Sequence, residues 1–392
     1  MTPAARLQAA IEILDEVIAS ARDDGPPADS IITRYFKQRR YAGSKDRRAV
    51  RELAFRAIRR SAERPTGGRS AILGLAQDDG ALLELFGLPR GPNPIEAGEE
   101  AAEAALVPLW LVPDLSPLVS EAEWPALLER APLDLRVNVA RASRDDLLKE
   151  FEAAEPTRLS PWGIRLPSDT SVDDHPAYAA GLVEVQDEGS QLIALACAVD
   201  DGDERIVDLC AGAGGKSLAV AASAPGATIL AADSNRQRLS KLAPRAQRAG
   251  ARIETRLLSP PAELDELADW RASADLVLVD APCSGSGTWR RNPEGRWRLT
   301  PQRLDQVVAL QKRLLDMAAE LVKPGGLLVY AVCSLLSREG AAQIDAFLHT
   351  HSSWISEASP IAAGRSDGLG TLLTPAYDGT DGFFVARLLR AC

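Results

Sequence analysis

From residue 4 to 22, apolar side chains recur at helical spacing (Leu7, Ala10, Ile11, Leu14, Val17, Ile18) and Gly25-Pro26-Pro27 halts the pattern, which predicts an amphipathic helix ending in a turn. Helical spacing resumes over 28–62 with Ile31, Tyr35, Val50, Leu53, Phe55 and Ile58, and helical stretches broken by Gly and Pro continue to about residue 128. The texture changes at Pro132. Leu133–Val139 and Trp162–Leu166 read as strands, and Arg144–Ala154, opened by Ser143, as an amphipathic helix between them. From about Val183, apolar strands alternate with helices: Ile206–Leu209, Thr228–Ala232, Ile253–Leu257, Leu276–Val279, Leu327–Val332 and Phe383–Leu389. Such alternation predicts a mostly parallel, doubly wound α/β sheet. The 392 residues therefore divide into a helical domain (1–128), a small α+β module (129–182) and an α/β domain (183–392).

No apolar run approaches the roughly 20 residues of a membrane helix. The N-terminus is soon interrupted by Glu12, Asp15 and Glu16, so the chain is expected to be cytoplasmic, with no membrane partner. The five cysteines include no C-x-x-C pair and the three histidines form no H-E-x-x-H, which predicts free thiols and no metal site. The net charge of −10 argues against a nucleic-acid partner until its distribution is considered. Arg34 to Arg64 holds twelve basic residues against three acidic, Arg236 to Arg256 seven against one, and Arg290 to Arg313 seven against two. Local basic surfaces of this kind suit a phosphate backbone.

The first strand of the α/β domain runs into Cys210-Ala211-Gly212-Ala213-Gly214-Gly215-Lys216-Ser217 and then an apolar helical stretch. Glycines at such a turn let the backbone approach a ligand and aim helix N-terminal amides at it. A Walker A loop fails because Cys210 stands where glycine is required, and the spacing of Gly212, Gly214 and Gly215 is not G-x-G-x-x-G. The second strand ends at Asp233, where a carboxylate can bond the two ribose hydroxyls of an adenosine. That combination suits S-adenosylmethionine.

The fourth strand ends in Asp280-Ala281-Pro282-Cys283-Ser284-Gly285 and the fifth in Val332-Cys333-Ser334. Ligands in these sheets bind beyond the carboxyl ends of the strands, which puts both thiols in the cleft of the cofactor loop. Cytosine carbon 5 is too weak a nucleophile to take a methyl group unaided. A thiolate adding at carbon 6 makes the ring an enamine whose carbon 5 can attack. Asp280 is placed to assist at ring nitrogen 3, and Cys283 is a candidate for the later release step. The residues alone do not say which thiol attacks.

These segments, with Gln186-Asp187-Glu188-Gly189-Ser190-Gln191, Asn292-Pro293-Glu294, Trp297, Lys323-Pro324-Gly325-Gly326 and Asp381-Gly382-Phe383-Phe384, resemble the Sun (Nol/Nop/Sun) family of RNA cytosine-5 methyltransferases, its bacterial 16S rRNA members above all. The resemblance implies a Rossmann-like S-adenosylmethionine-dependent domain with a seven-stranded sheet, preceded by a ferredoxin-like module and an antitermination-factor-like helical domain. It makes Cys333 the nucleophile and Cys283 the residue assisting release, sets Lys216 near the reacting base, and gives the cofactor Cys210 to Lys216, Asp233, Arg238, Ser259 and Asp280. It also implies an RNA partner, and the intact set of three modules gives no reason to require a partner chain. The chain departs from the family pattern at Ala213 (usually Pro), at Val332 (usually Thr), over Arg338-Glu339-Gly340-Ala341 in place of an acidic, Asn-containing run, and at Ser259, where an Asp is common.

Three alternatives stay open at this stage: a tRNA cytosine-5 methyltransferase, a DNA cytosine methyltransferase with Cys283 as nucleophile, and a non-catalytic RNA-binding assembly factor. The second thiol, Cys333, argues against the DNA enzyme.

Overall fold

The computed structural model describes residues 1–198 and 204–392. These fall into two compact units, one of Met1–Leu115, Ser120–Glu129 and Thr288–Pro301, the other of Ser116–Val119, Arg130–Gly287 and Gln302–Cys392.

The first unit is built on α1 (Pro3–Arg22), α2 (Ala28–Gln38), α3 (Ser44–Arg60) and α4 (Gly68–Asp78). Thr2 caps α1 by accepting a hydrogen bond from the Ala5 amide, and Pro3 fits the first turn, where its missing N–H costs nothing. The predicted apolar stripe is the buried one, with Leu7, Leu14, Val17, Ile31, Val50 and Ile58 in one core. The helical stretch over 28–62 is two helices, because the chain leaves α2 at Arg39 and starts α3 only after Gly43.

Residues 288–301 lie inside the stretch expected to be wholly α/β, yet they pack with the helices. Arg296 donates to the carbonyls of Ile58 (2.6 Å) and Leu106 (2.8 Å), Trp297 Nε1 donates to the Ser61 carbonyl (2.9 Å), and Glu294 accepts from the Ala28 amide at the start of α2 (2.9 Å). These bonds satisfy helix-end groups that a contiguous division at residue 128 would leave unpaired.

The basic stretch of this unit is partly neutralised from within. Arg34 pairs with Glu16, Arg39 with Glu12 and Arg51 with Asp29, while Lys37, Arg40, Lys45 and Arg48 are exposed.

The second unit opens with a four-stranded antiparallel sheet of β1 (Leu133–Val137), β2 (Glu155–Pro156), β3 (Gly163–Leu166) and β4 (Val183–Val185), in the order β2-β3-β1-β4. The helix expected over 144–154 is a single turn, Arg144–Leu147. Ala153 adopts a left-handed backbone, and Phe151 turns aside to stack on His175 with ring centres 3.9 Å apart.

The larger sheet contains the parallel strands β5 (Arg205–Asp208), β6 (Thr228–Asp233), β7 (Glu254–Leu257), β8 (Ala274–Asp280) and β9 (Val322–Val332). Four antiparallel strands extend it: β10 (Trp354–Glu357), β11 (Arg365–Asp367), β12 (Gly370–Leu373) and β13 (Phe383–Arg390). The sheet has nine strands rather than seven, the short β10 and the β11–β12 hairpin being too polar to stand out from sequence. The path β9-β8-β5-β6 runs outward in both directions from the β5/β8 junction, so the loops after β5 and β8 open at a topological switch point, where ligands bind in such sheets.

The Gln186 to Gln191 motif joins the α+β sheet to this one. Buried Gln191 donates to the carbonyls of Leu135 (3.3 Å) and Gln186 (2.9 Å), and the Asp187 carboxylate accepts from the amides of Gly189 (2.8 Å) and Asp381 (3.2 Å).

Candidate active site

The loop after β5 turns back into the helix Gly215–Ser223 through two residues in the left-handed region, Gly212 (φ 55°) and Gly214 (φ 80°). A Cβ at Gly214 would stand 2.0 Å from the Leu242 side chain, so glycine is required there. Asp233, at the end of β6, holds this loop from outside. One of its oxygens accepts from the Gly212 amide (2.7 Å) and the other from the Asn235 amide (2.6 Å).

Asp208 ends β5 and is buried beneath the loop; one of its oxygens accepts from the Ser217 hydroxyl (2.6 Å), and the other has no hydrogen-bond partner among the described residues. Burial pushes its carboxyl up to about 7, against the opposing bond from Ser217. The folded chain thus holds this proton more tightly than the unfolded one. That contribution is complete below the ordinary carboxyl range near 4 and is lost as the pH rises through about 7. The unfolding temperature of Asp208→Asn should therefore fall less than the parent's between about pH 5 and pH 8. Parallel profiles would show that Asp208 does not titrate in this range.

On the other side of the helix start, Lys216 Nζ donates to Asp280 Oδ2 at 2.6 Å and lies 5.4 Å from the centre of the Phe383 ring. Burial opposes the Lys216 charge, but Asp280 outweighs it, with help from Cys333, and the pKa is raised. Lys216 is therefore an ammonium. Asp280, at the end of β8, is about one-third exposed.

The two thiols meet at the ends of neighbouring parallel strands, Cys283 three residues after β8 and Cys333 directly after β9, with Sγ atoms 3.3 Å apart. Both are partly accessible. The hydrogen bond to Cys333 and burial push the Cys283 thiol well above its usual range. The two sulfurs are in hydrogen-bond contact, and either can be the donor. Val332, whose family counterpart carries a hydroxyl, is buried and pairs with Phe384 across β9 and β13.

The remaining sequence-predicted positions spread around the loop. The Cys210 thiol is pushed well up by burial. Arg238 is exposed, and its guanidinium lies against Gly212, with a nitrogen 2.5 Å from where a Cβ would stand. Ser259 is exposed beyond β7, its amide donating to Glu266 (2.7 Å) while the preceding Leu258 amide donates to the Asp233 carbonyl (3.0 Å). Asp208 and Glu339, neither predicted, also belong here. Asp208 had a signal in the sequence, an acid closing the strand that feeds the glycine loop. A cavity of about 670 Å³ at the opposite end of β6, lined by Thr228, Leu242, Ala246 and Thr255, includes none of these groups.

The sequence model of the 16S rRNA methyltransferase RsmB/F family matches residues 194–389. Ribosomal RNA small subunit methyltransferase B of Enterobacter sp. (strain 638) is 35% identical over 293 residues, which are 73% of this chain and 67% of that relative. The chain belongs to this family. The match spans about two thirds of the relative's length. Among solved structures, PH0851 superposes with a TM-score of 0.76 over 99% of both chains at 21% identity. NSun6 from Pyrococcus horikoshii, bound to an S-adenosylmethionine analogue, gives 0.60 over 68% of this chain and 93% of its own at 18% identity.

The methyl donor of the RsmB/F fold is S-adenosylmethionine, and the residues present fit it. The donor is a cation carrying an amino group, a carboxylate and a ribose diol. Facing the loop, this chain offers the Asp233 carboxylate, an Asp208 oxygen without a hydrogen-bond partner among the described residues, the open backbone at Gly212 and the amides at the start of the helix Gly215–Ser223. Acidic oxygens match the diol and the ammonium, and helix N-terminal amides match the carboxylate.

Proposed function

We propose that the chain methylates carbon 5 of a cytosine in 16S rRNA through a covalent bond between Cys333 and carbon 6 of the base. The observation that carries this reading is the pair of accessible thiols 3.3 Å apart at the ends of β8 and β9, beside the Lys216–Asp280 pair. Methyl transfer alone needs no thiol, and a structural core does not leave two of them touching at a cleft.

S-adenosylmethionine supplies an electrophilic methyl group. The Cys333 thiol, in hydrogen-bond contact with Cys283, loses its proton to solvent and adds as the thiolate to carbon 6, and the ring electrons pass to carbon 5. Asp280, held by Lys216, is the polar group beyond β8 that meets nitrogen 3, and the ammonium offsets the charge that gathers on the ring. Carbon 5 then takes the methyl group. With Cys333 bonded to carbon 6, Cys283 gives its own proton to solvent and, as the thiolate, accepts the proton from carbon 5. Loss of that proton re-forms the double bond and expels the Cys333 thiolate.

The exposed Lys37, Arg40, Lys45 and Arg48 supply the long-range attraction for RNA. The test is incubation with methyl-labelled cofactor and 16S rRNA lacking the modification, then digestion to nucleosides. Label is expected in 5-methylcytidine. Label in any other nucleoside, or none at all, overturns the reading.

A further inference from the structure

We propose that Glu339 is a positioning residue that sets the distance between Cys283 and Cys333. This deepens the reading of the two thiols given above and rests on it. Glu339 is fully buried, and the hydrogen bonds its carboxylate accepts come from neither thiol. One oxygen accepts from the Ser284 amide (2.8 Å) and from Gln311 Nε2 (2.9 Å); the other accepts from the hydroxyls of Ser284 and Ser334. Ser284 follows Cys283 and Ser334 follows Cys333. A single carboxylate therefore ties together the residues next to both thiols.

The surrounding bonds tighten the same joint. Gln311 also donates to the carbonyl of Pro282 (2.9 Å), so the chain is held on both sides of Cys283. The Gly287 amide donates to the Cys333 carbonyl (3.1 Å), and the Leu335 amide donates to the Ser286 hydroxyl (2.9 Å). Tyr330, on β9, donates to the Glu339 backbone carbonyl (2.7 Å), which holds the Glu339 main chain beside the strand that runs into Cys333.

A buried carboxylate is not a stabilising device in itself, since well-packed apolar groups do as well or better. Here every donor that meets it comes from one of the cysteine loops or from the helix that grips one of them. Two loops at the ends of separate strands have no covalent reason to hold two sulfurs in contact. Glu339 supplies one.

Glu339→Gln keeps the shape but turns an amide donor toward groups that are themselves donors, so at least one tie is lost. Two measurements follow. Phenylarsine oxide bridges two thiols with release of one water, and on the free protein, without RNA or cofactor, it reports the Cys283–Cys333 geometry directly. The parent is expected to bind it through this pair, with binding lost in Cys283→Ala and weakened at least about tenfold in Glu339→Gln. In methyl transfer, kcat for Glu339→Gln should fall about 100-fold with the KM for RNA within about twofold, the pattern of misplaced reacting groups rather than lost binding.

A denaturation-resistant protein–RNA complex should also build up in Glu339→Gln although Cys283 is present, because release is hampered more than attack. A general loss of folding would lower all activities without producing this complex. Should Glu339→Gln not fold, Ser334→Ala removes one donor only and is expected to weaken arsenical binding in the same direction. Unchanged arsenical binding in the folded variant overturns the proposal. Lost binding in a protein that methylates no RNA leaves Glu339 as the tie and removes the cytosine reading instead.

Discussion

Replacing Cys333 with alanine is expected to lower methyl transfer by at least about 10⁴-fold, because removing a covalent nucleophile removes the step that makes carbon 5 reactive. The side chain is small, partly exposed and at the end of β9, so the fold and the cofactor loop should persist. Binding of S-adenosylmethionine should stay within about twofold of the parent, since the Asp233 and Lys216 contacts lie on other strands and loops. Transfer of labelled methyl groups from the cofactor to unmodified rRNA measures the effect. Activity within about tenfold of the parent would mean that the attacking group is elsewhere.

Replacing Cys283 with alanine should have a different outcome. Attack by Cys333 and methyl transfer remain possible, but the carbon 5 proton lacks its acceptor and the carbon 6–sulfur bond does not break. The variant should therefore turn over slowly and accumulate a protein–RNA complex that survives boiling in detergent. On this proposal one change blocks formation of the bond and the other its cleavage. The hydrogen bond to Cys333 and burial push the Cys283 thiol well above its usual range, which disfavours Cys283 as the attacking group. Free turnover by Cys283→Ala, with no complex formed, would remove Cys283 from the release step.

Much of this site could be read from the chain because it is strung along strand ends. An apolar run that stops at Asp208, Asp233, Asp280 or Val332 announces both a strand and the point at which its loop reaches a cleft, and the cysteines follow within three residues of two of those ends. Positions whose role depends on other segments could not be read in this way. Glu339 appeared only as part of a departure from the family pattern, although its partners Ser284, Gln311 and Ser334 lie on three separate elements. Residues 288–301 looked like part of the α/β domain because they follow β8 directly in sequence. Only the carbonyls left open at Ile58, Ser61 and Leu106 show why Arg296 and Trp297 pack with the helices. Periodicity likewise promised a helix to Ala154, whereas tertiary contact of Phe151 with His175 ends it after one turn. The order of attack and release was not legible from spacing either.

The central claim is that Cys333, and not Cys283, forms the bond to the base. RNA carrying 5-fluorocytosine at the target position tests this most directly, because fluorine at carbon 5 cannot leave as a proton does and the complex is held after methyl transfer. Digestion of the trapped protein and mass spectrometry of its peptides should find the methylated fluoropyrimidine on the peptide containing Cys333, with Cys283 free. The nucleotide on the Cys283 peptide would contradict the account.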